Sequence, residues 1–161
     1  MKGGQLALSR SGPPRLAQSG QAALEFSLVV LIFLGLLAAI LEGARLATSY
    51  FALSDAAREG GRAGVYRPTA DTPASTIDAN IRAKVRQTLP AWITIPDTDI
   101  VICRHVSPSA AITDACDSSG FKRGSVVDVT VQWTFGFLAF PSGWLGQTTK
   151  PLTGYHRAEI E

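Results

Sequence analysis

Residues 26–41 form an unbroken run of sixteen residues without a charged or amide side chain. As a helix the run spans about 24 Å at 1.5 Å per residue. With residues 22–24 added it approaches the ~20 residues that a bilayer requires. A chain holding such a run must bury it in a core or place it in a membrane. Of all 161 residues 46% are hydrophobic and 17% charged, the latter below the roughly 25% of ordinary soluble domains, which argues against a simple cytosolic enzyme. Low hydrophobicity with high net charge, the signature of a disordered chain, is excluded.

Three readings fit the N-terminal segment. Residues 1–20 hold Lys2, Arg10 and Arg15 and no acid. A secretory signal peptide has this polarity, but its apolar core is about 7–15 residues and ends in a small-residue cleavage site. After Leu41 the sequence continues as a good helix former instead. An uncleaved transmembrane anchor is the second reading, with Glu25 and Glu42 near the two boundaries. The third adds processing. Gly20 closes the basic leader, and Glu25 is the fifth residue counted from Gln21, at the mouth of the apolar helix. Substrates of prepilin peptidase look like this, and that enzyme cuts on the cytoplasmic side and leaves the helix in the membrane.

A carboxylate in an apolar segment costs about 2.5–3.5 kcal/mol at mid-bilayer and less near the edge. Glu25 therefore either snorkels to the headgroups or has a partner. Cleavage after Gly20 would create an α-amine at Gln21. Helices stacked with an axial offset would let Glu25 of one subunit meet that amine of another and set their register.

These residues resemble a known family. Gly20, Gln21, Ala22, Ala23, Leu24, Glu25 and Phe26 look like the start of the TadE-like pseudopilins of the tight-adherence (Flp) pilus system. Glu42, Gly43, Ala44 and Arg45 are similar to that family's motif at the end of the apolar run. Ala56, Ala57, Arg58, Glu59, Gly60, Gly61 and Arg62 are similar to its Ala-Ala-Arg-Glu-Gly-x-Arg. The resemblance covers about residues 20–64. The family often has proline within the apolar run where this chain has Leu31, and related Flp pilins favour tyrosine where this chain has Phe26.

The resemblance implies a minor pilin-like subunit needed for pilus assembly. It implies prepilin peptidase, other minor pseudopilins, the major Flp pilin, and the assembly platform with its ATPase as partners. It places the processing site at Gly20 and Gln21, the register and assembly role at Glu25 and Phe26, and family-motif positions at Glu42, Arg45, Ala56, Ala57, Arg58, Glu59, Gly60 and Arg62.

Past the apolar run, Leu46, Tyr50, Leu53 and Ala57 share one helical face. Glu42 with Arg45 and Glu59 with Arg62 are i,i+3 pairs. Gly60, Gly61 and Gly64 weaken the helix and Pro68 ends it, so one helix is expected from about residue 21 to about residue 63. Residues 67–73 read as a linker. Ser75 and Asp78 make a capping-box-like start for a second helix over about 76–89, with Ile77, Ile81, Val85 and Leu89 at four-residue spacing. Arg82, Lys84 and Arg86 read as its solvated side.

After Pro96 the period changes to two. Strands are expected from Ile100 to His105, over 127–135, where Val127, Val129, Val131, Trp133 and Phe135 alternate with polar residues, and over 155–160. Phe137, Leu138, Phe140, Trp144 and Leu145 lie in an apolar loop that either packs on the sheet or marks an interaction site. The expected fold class is α+β: a long N-terminal transmembrane helix continuing into a small extracytoplasmic domain with a second helix and an antiparallel sheet. The expected boundaries are leader 1–20, spine helix 21–64, linker 65–75 and domain 76–161.

Cys103 and Cys116 are too few for a zinc site without suitably spaced histidines. A disulfide is the better reading, worth about 3 kcal/mol in the chain-entropy model, and it requires an oxidising compartment. The positive-inside rule agrees: the basic leader holds the N-terminus in the cytoplasm. The expected location is the bacterial inner membrane, single-pass, with the C-terminal domain outside.

No catalytic motif, metal site or cofactor motif is present in the sequence, and the charge distribution lacks a nucleic-acid footprint. Asp97, Asp99, Asp114 and Asp117 match no calcium-loop spacing and read as turn residues. Two other functions stay open. One is an uncleaved membrane-anchored extracytoplasmic binding module that enters no filament. The other, an enzyme, would need a metal or polar cleft in the C-terminal domain, and the expectation is that the chain is not an enzyme.

Overall fold

The computed structural model describes residues 16–65, 73–107, 116, 124–138 and 149–160. Helix α1 runs Leu16–Val65 and α2 Ala74–Thr88. A 3-10 turn at Asp97–Asp99 leads into β1, Ile100–His105, followed by β2, Val126–Gly136, and β3, Thr149–Glu159. The chain is α+β, with one long apolar N-terminal helix. It divides into two compact units, Met1–Ile40 and Leu41–Glu161.

In the first unit the described part of α1 is almost wholly exposed: Leu24, Phe26, Leu31 and Ile40 are all open. Among the described residues α1 is the one helix long and apolar enough to cross a membrane. A helix suits that role because every backbone polar group is satisfied within the segment.

The second unit is built on a three-stranded antiparallel sheet in the order β1-β2-β3. Ile100 pairs with Val131 and His105 with Val126; Val126 pairs with Glu159 and Gly136 with Thr149. One face of β2 presents Val127, Val129, Val131 and Phe135 to the core, where Leu53, Ala56 and Ala57 of α1 and Ile77, Ile81, Val85 and Leu89 meet them. Full burial of each such aliphatic side chain favours folding by about 1.5–3 kcal/mol.

The expected elements recur with informative differences. α1 does not stop at its glycines. Gly60, Gly61 and Gly64 are buried and form its packing face. A Cβ would come within 2.6 Å of Val85 Cγ2 at Gly60, 2.7 Å of His156 Cδ2 at Gly61 and 2.8 Å of Ile81 Cδ1 at Gly64. These glycines cost helix propensity but permit close approach, and packing outweighs propensity. Tyr50, placed by its spacing on one face with Leu53 and Ala57, is 50% exposed; the buried face turns instead through Ser49, Leu53, Ala56, Ala57 and Gly60. Glu59 and Arg62 do not pair, whereas Arg58 lies 3.9 Å from Asp55.

Helix α2 starts two residues earlier than expected, with Pro73 at the N-cap and no side-chain cap. Asp78 is not a capping residue; it pairs with Arg104 of β1. The helix closes at Leu89, extended as a residue before proline prefers. Arg82 and Arg86 gather at Asp97 rather than facing solvent unpaired. β3 begins at Thr149, six residues ahead of the expected start. Pro151 is tolerated because β3 is an edge strand. Much of the expected linker, the leader through residue 15, Asp114, Asp117, Phe140, Trp144 and Leu145 lie outside the described residues.

The tightest approach is at Gly154 of β3, where an added Cβ would run into the Leu53 carbonyl of α1. Gly154→Ala is expected to destabilise the folded chain by about 3 kcal/mol, the upper part of the overpacking range. Gly43→Ala, with nothing within 4 Å of the added methyl, is expected to be neutral or stabilising. Thermal unfolding of the full chain in detergent, followed by near-UV circular dichroism, compares them.

Candidate functional site

The N-terminal motif residues stand on the first turns of α1. Gly20, Gln21, Glu25 and Phe26 are exposed. Gln21 Nε2 donates to Glu25 Oε1 at 3.1 Å, one turn apart. The helix begins at Leu16, so the Gly20–Gln21 bond lies inside it. Phe26 is 70% exposed and joins a surface of aliphatic side chains. This stretch presents an apolar, laterally open rod with one carboxylate near its beginning.

The second motif sits at the start of the other unit. Arg45 Nη1 donates to both Glu42 oxygens, at 2.9 and 3.0 Å. The Glu42 side chain is buried, and its Oε1 also accepts the Leu138 backbone N–H at 3.1 Å. The Arg45 guanidinium lies over the Phe135 ring, 5.2 Å from its centroid, a cation–π placement. Glu42 and Arg45 thus clamp the end of β2 to α1. The expected i,i+3 pair is present, and its reach to Phe135 and Leu138 is an addition that no local pattern shows.

The third motif is structural in position. Ala56, Ala57 and Gly60 face the core, while Arg58 and Arg62 are exposed and Glu59 is half-buried. Cys103 and Cys116 are joined, S–S 2.02 Å, Cα–Cα 5.0 Å.

The sheet face opposite the helices holds a charged cluster missed in the sequence. Asp128 is 3% exposed. It accepts from Arg157 Nε at 2.8 Å and Nη2 at 2.7 Å and from the Tyr155 hydroxyl at 2.9 Å. His105 Nε2 lies 3.2 Å from it. Alternation along β2 places Asp128 outward, and only the register opposite Arg157 shows why it is buried. Burial alone would raise its carboxyl, but the Arg157 and Tyr155 hydrogen bonds and the Arg157 and His105 charges hold it below the usual range. His156, on the helix side, is pushed below the usual imidazole range by burial and then by the Arg58 charge. Among the described residues no group of three or more His, Cys, Asp or Glu is placed to hold a metal ion.

These positions coincide with a family boundary. The family model described as TadE-like protein matches residues 20–62, from the first exposed turns of α1 to its glycine face. Residues 20–62 are TadE-like. No curated protein and no solved structure matches the chain. The TadE-like segment therefore contains the apolar rod, the Glu42–Arg45 clamp and the Gly60–Gly61 part of the glycine face, and leaves Gly64, α2 and the sheet outside it. The match over these residues suggests involvement in Tad pilus assembly, and the apolar helix fits single-pass anchoring.

Glu42→Ala removes the acceptor of the Leu138 amide and one arm of the clamp. Hydrogen exchange of the Leu138 amide is expected to speed by at least tenfold, the equivalent of about 1.4 kcal/mol, while exchange at Val129 stays slow.

The His156 proton is bound more weakly in the folded state than in the unfolded chain. Its contribution to stability is whole above about pH 6.5 and is lost as pH falls toward the folded value. Asp128 adds a second loss at lower pH, beneath the ordinary carboxylate range. Unfolding of the full chain in detergent from pH 7.5 down is expected to weaken first in the imidazole range. His156→Gln should flatten that first step and keep the second.

Proposed function

We propose that the chain is a minor pilin-like subunit required for assembly of a Tad/Flp-type bacterial surface pilus. The observation that carries this is the TadE-like match over residues 20–62, which coincides with a helix whose first half is apolar and laterally exposed. Such a surface is stable in lipid and equally stable against like helices. That duality suits a subunit stored in the membrane and later packed beside other pilin helices.

In this reading the leader keeps the N-terminus in the cytoplasm of a bacterial inner membrane, with the sheet-bearing unit outside, where the Cys103–Cys116 bond is stable. Prepilin peptidase cuts between Gly20 and Gln21. That bond lies in the first turns of α1, where opening a helix costs least. Glu25 then pairs with the Gln21 amine of a neighbour and sets the axial register. The partners are other minor pseudopilins, the major Flp pilin, and the assembly platform with its ATPase. The role is non-catalytic. An uncleaved anchored binding module is the second reading, favoured by the intact first turns of α1 across Gly20.

Intact mass and N-terminal sequencing of the membrane form, made with and without its prepilin peptidase, tests this. A new N-terminus at Gln21 only with the peptidase is the expected result. Retention of the leader in both cases would overturn processing and favour the anchored module. Glu25→Gln is expected to insert normally and lower pilus number; unchanged pilus number would remove the register role.

A further inference from the structure

In the C-terminal unit β2 runs against the direction of α1. Val127 lies beside Gly64 and Val129 beside Gly60. Farther along the strand, Phe135 lies under Arg45 and the Leu138 N–H reaches Glu42. Rising residue number in β2 therefore means approach to the start of this unit. Glu42 is the first charged residue after the apolar run 26–41. Leu138, hydrogen-bonded to Glu42, thus stands where the chain leaves its apolar segment, and it is 79% exposed.

A ladder of rings rises from this point. Phe137 and Phe135 are 5.2 Å apart, Phe135 and Trp133 6.0 Å, and Trp133 and Trp92 6.1 Å, each pair edge to face. Phe135 is buried and Trp92 is 57% exposed. Followed by contact, the order leads from the exposed side chain of Leu138, whose backbone N–H meets Glu42, through phenyl rings to an exposed indole. Polarity changes in the same order across a membrane boundary, with aliphatic groups inward and tryptophan at the headgroups. Two cations share the level: Arg45 is 44% exposed, and the exposed Lys150 is paired with Phe135 in the sheet register.

We infer that this end of the C-terminal unit rests in the lipid interface, with Leu138 against the outer ends of the acyl chains and Trp92 among the headgroups. The bilayer is the occupant because the chain itself delivers this edge to it: Glu42 follows the apolar run directly, and Leu138 is held to Glu42. Arg45 and Lys150 then face lipid phosphates. The inference depends on α1 spanning a bilayer and not on any role in a pilus.

The test uses the full chain in vesicles of phosphatidylcholine and phosphatidylglycerol, with and without bromine on the acyl chains. One variant keeps Trp92 as its sole tryptophan through Trp133→Phe and Trp144→Phe. A second adds Trp92→Phe and Leu138→Trp. The expected result is that Leu138→Trp loses most of its emission to brominated lipid and resists aqueous iodide. Trp92 should lose less to bromine and remain partly open to iodide. Free iodide quenching with no bromine effect at either position would overturn the inference. So would emission that ignores bromine but changes with protein density, which assigns the surface to a second copy. A chain that washes off the vesicles would overturn the anchor as well, and that failure is separately visible. In the otherwise natural chain, Leu138→Glu should raise iodide access to the tryptophans; unchanged access would also overturn the inference.

Discussion

The closeness of α1 to the sheet is the constraint on which the C-terminal unit depends. Gly60, Gly61 and Gly64 leave no side chain between the helix backbone and Val85, His156 and Ile81. Gly154 of β3 returns the condition from the other side, against the Leu53 carbonyl. Glycine on both surfaces removes the spacing that side chains would otherwise impose, so the aliphatic side chains of α2 and β2 can close over the helix. A small hydrophobic core holds together here because its members approach closely, a property of interiors packed at crystal-like density.

The same helix carries two environments. Before Leu41 its described apolar side chains are largely exposed; after it, one face is buried and the other open. Glu42 and Arg45 mark the change. A buried carboxylate that is both ion-paired and bonded to a backbone N–H is costly to break, and placing it there fixes where the sheet-bearing unit begins. The TadE-like segment ends at residue 62, within the glycine face. The match thus spans the apolar rod and part of the surface that packs on the sheet, while α2 and the sheet lie beyond it.

Periodicity made much of this fold legible. The four-residue spacing of Ile77, Ile81 and Val85 located α2, the alternation of Val127, Val129 and Val131 located β2, and the apolar run located α1. The pairing of Cys103 with Cys116 was also readable. What escaped depends on contacts distant in sequence. Glycine lowers local helix propensity, so a glycine face reads as a break until its neighbours are known. Asp128 alternates outward and becomes a buried carboxylate only because the register sets Arg157 opposite. Asp78 looked like a cap because Arg104 is remote in sequence. The polar opening of β3, with Lys150 and Pro151, carries no strand signal, since an edge strand tolerates residues that a central one would reject. Gly20, Gln21 and Glu25 were candidates from the sequence alone; that Glu42 reaches Leu138 was not visible there.

Because Leu53, Ala56 and Ala57 of α1 belong to the core, the anchor helix cannot be separated from what it anchors. A protease acting after Ala57 would remove part of the fold along with the tether, so this protein is poorly suited to being shed as a soluble fragment. The order of synthesis follows the same logic. The helix emerges first, and the later strands must find it where it already stands. The unit is therefore assembled on a scaffold that precedes it.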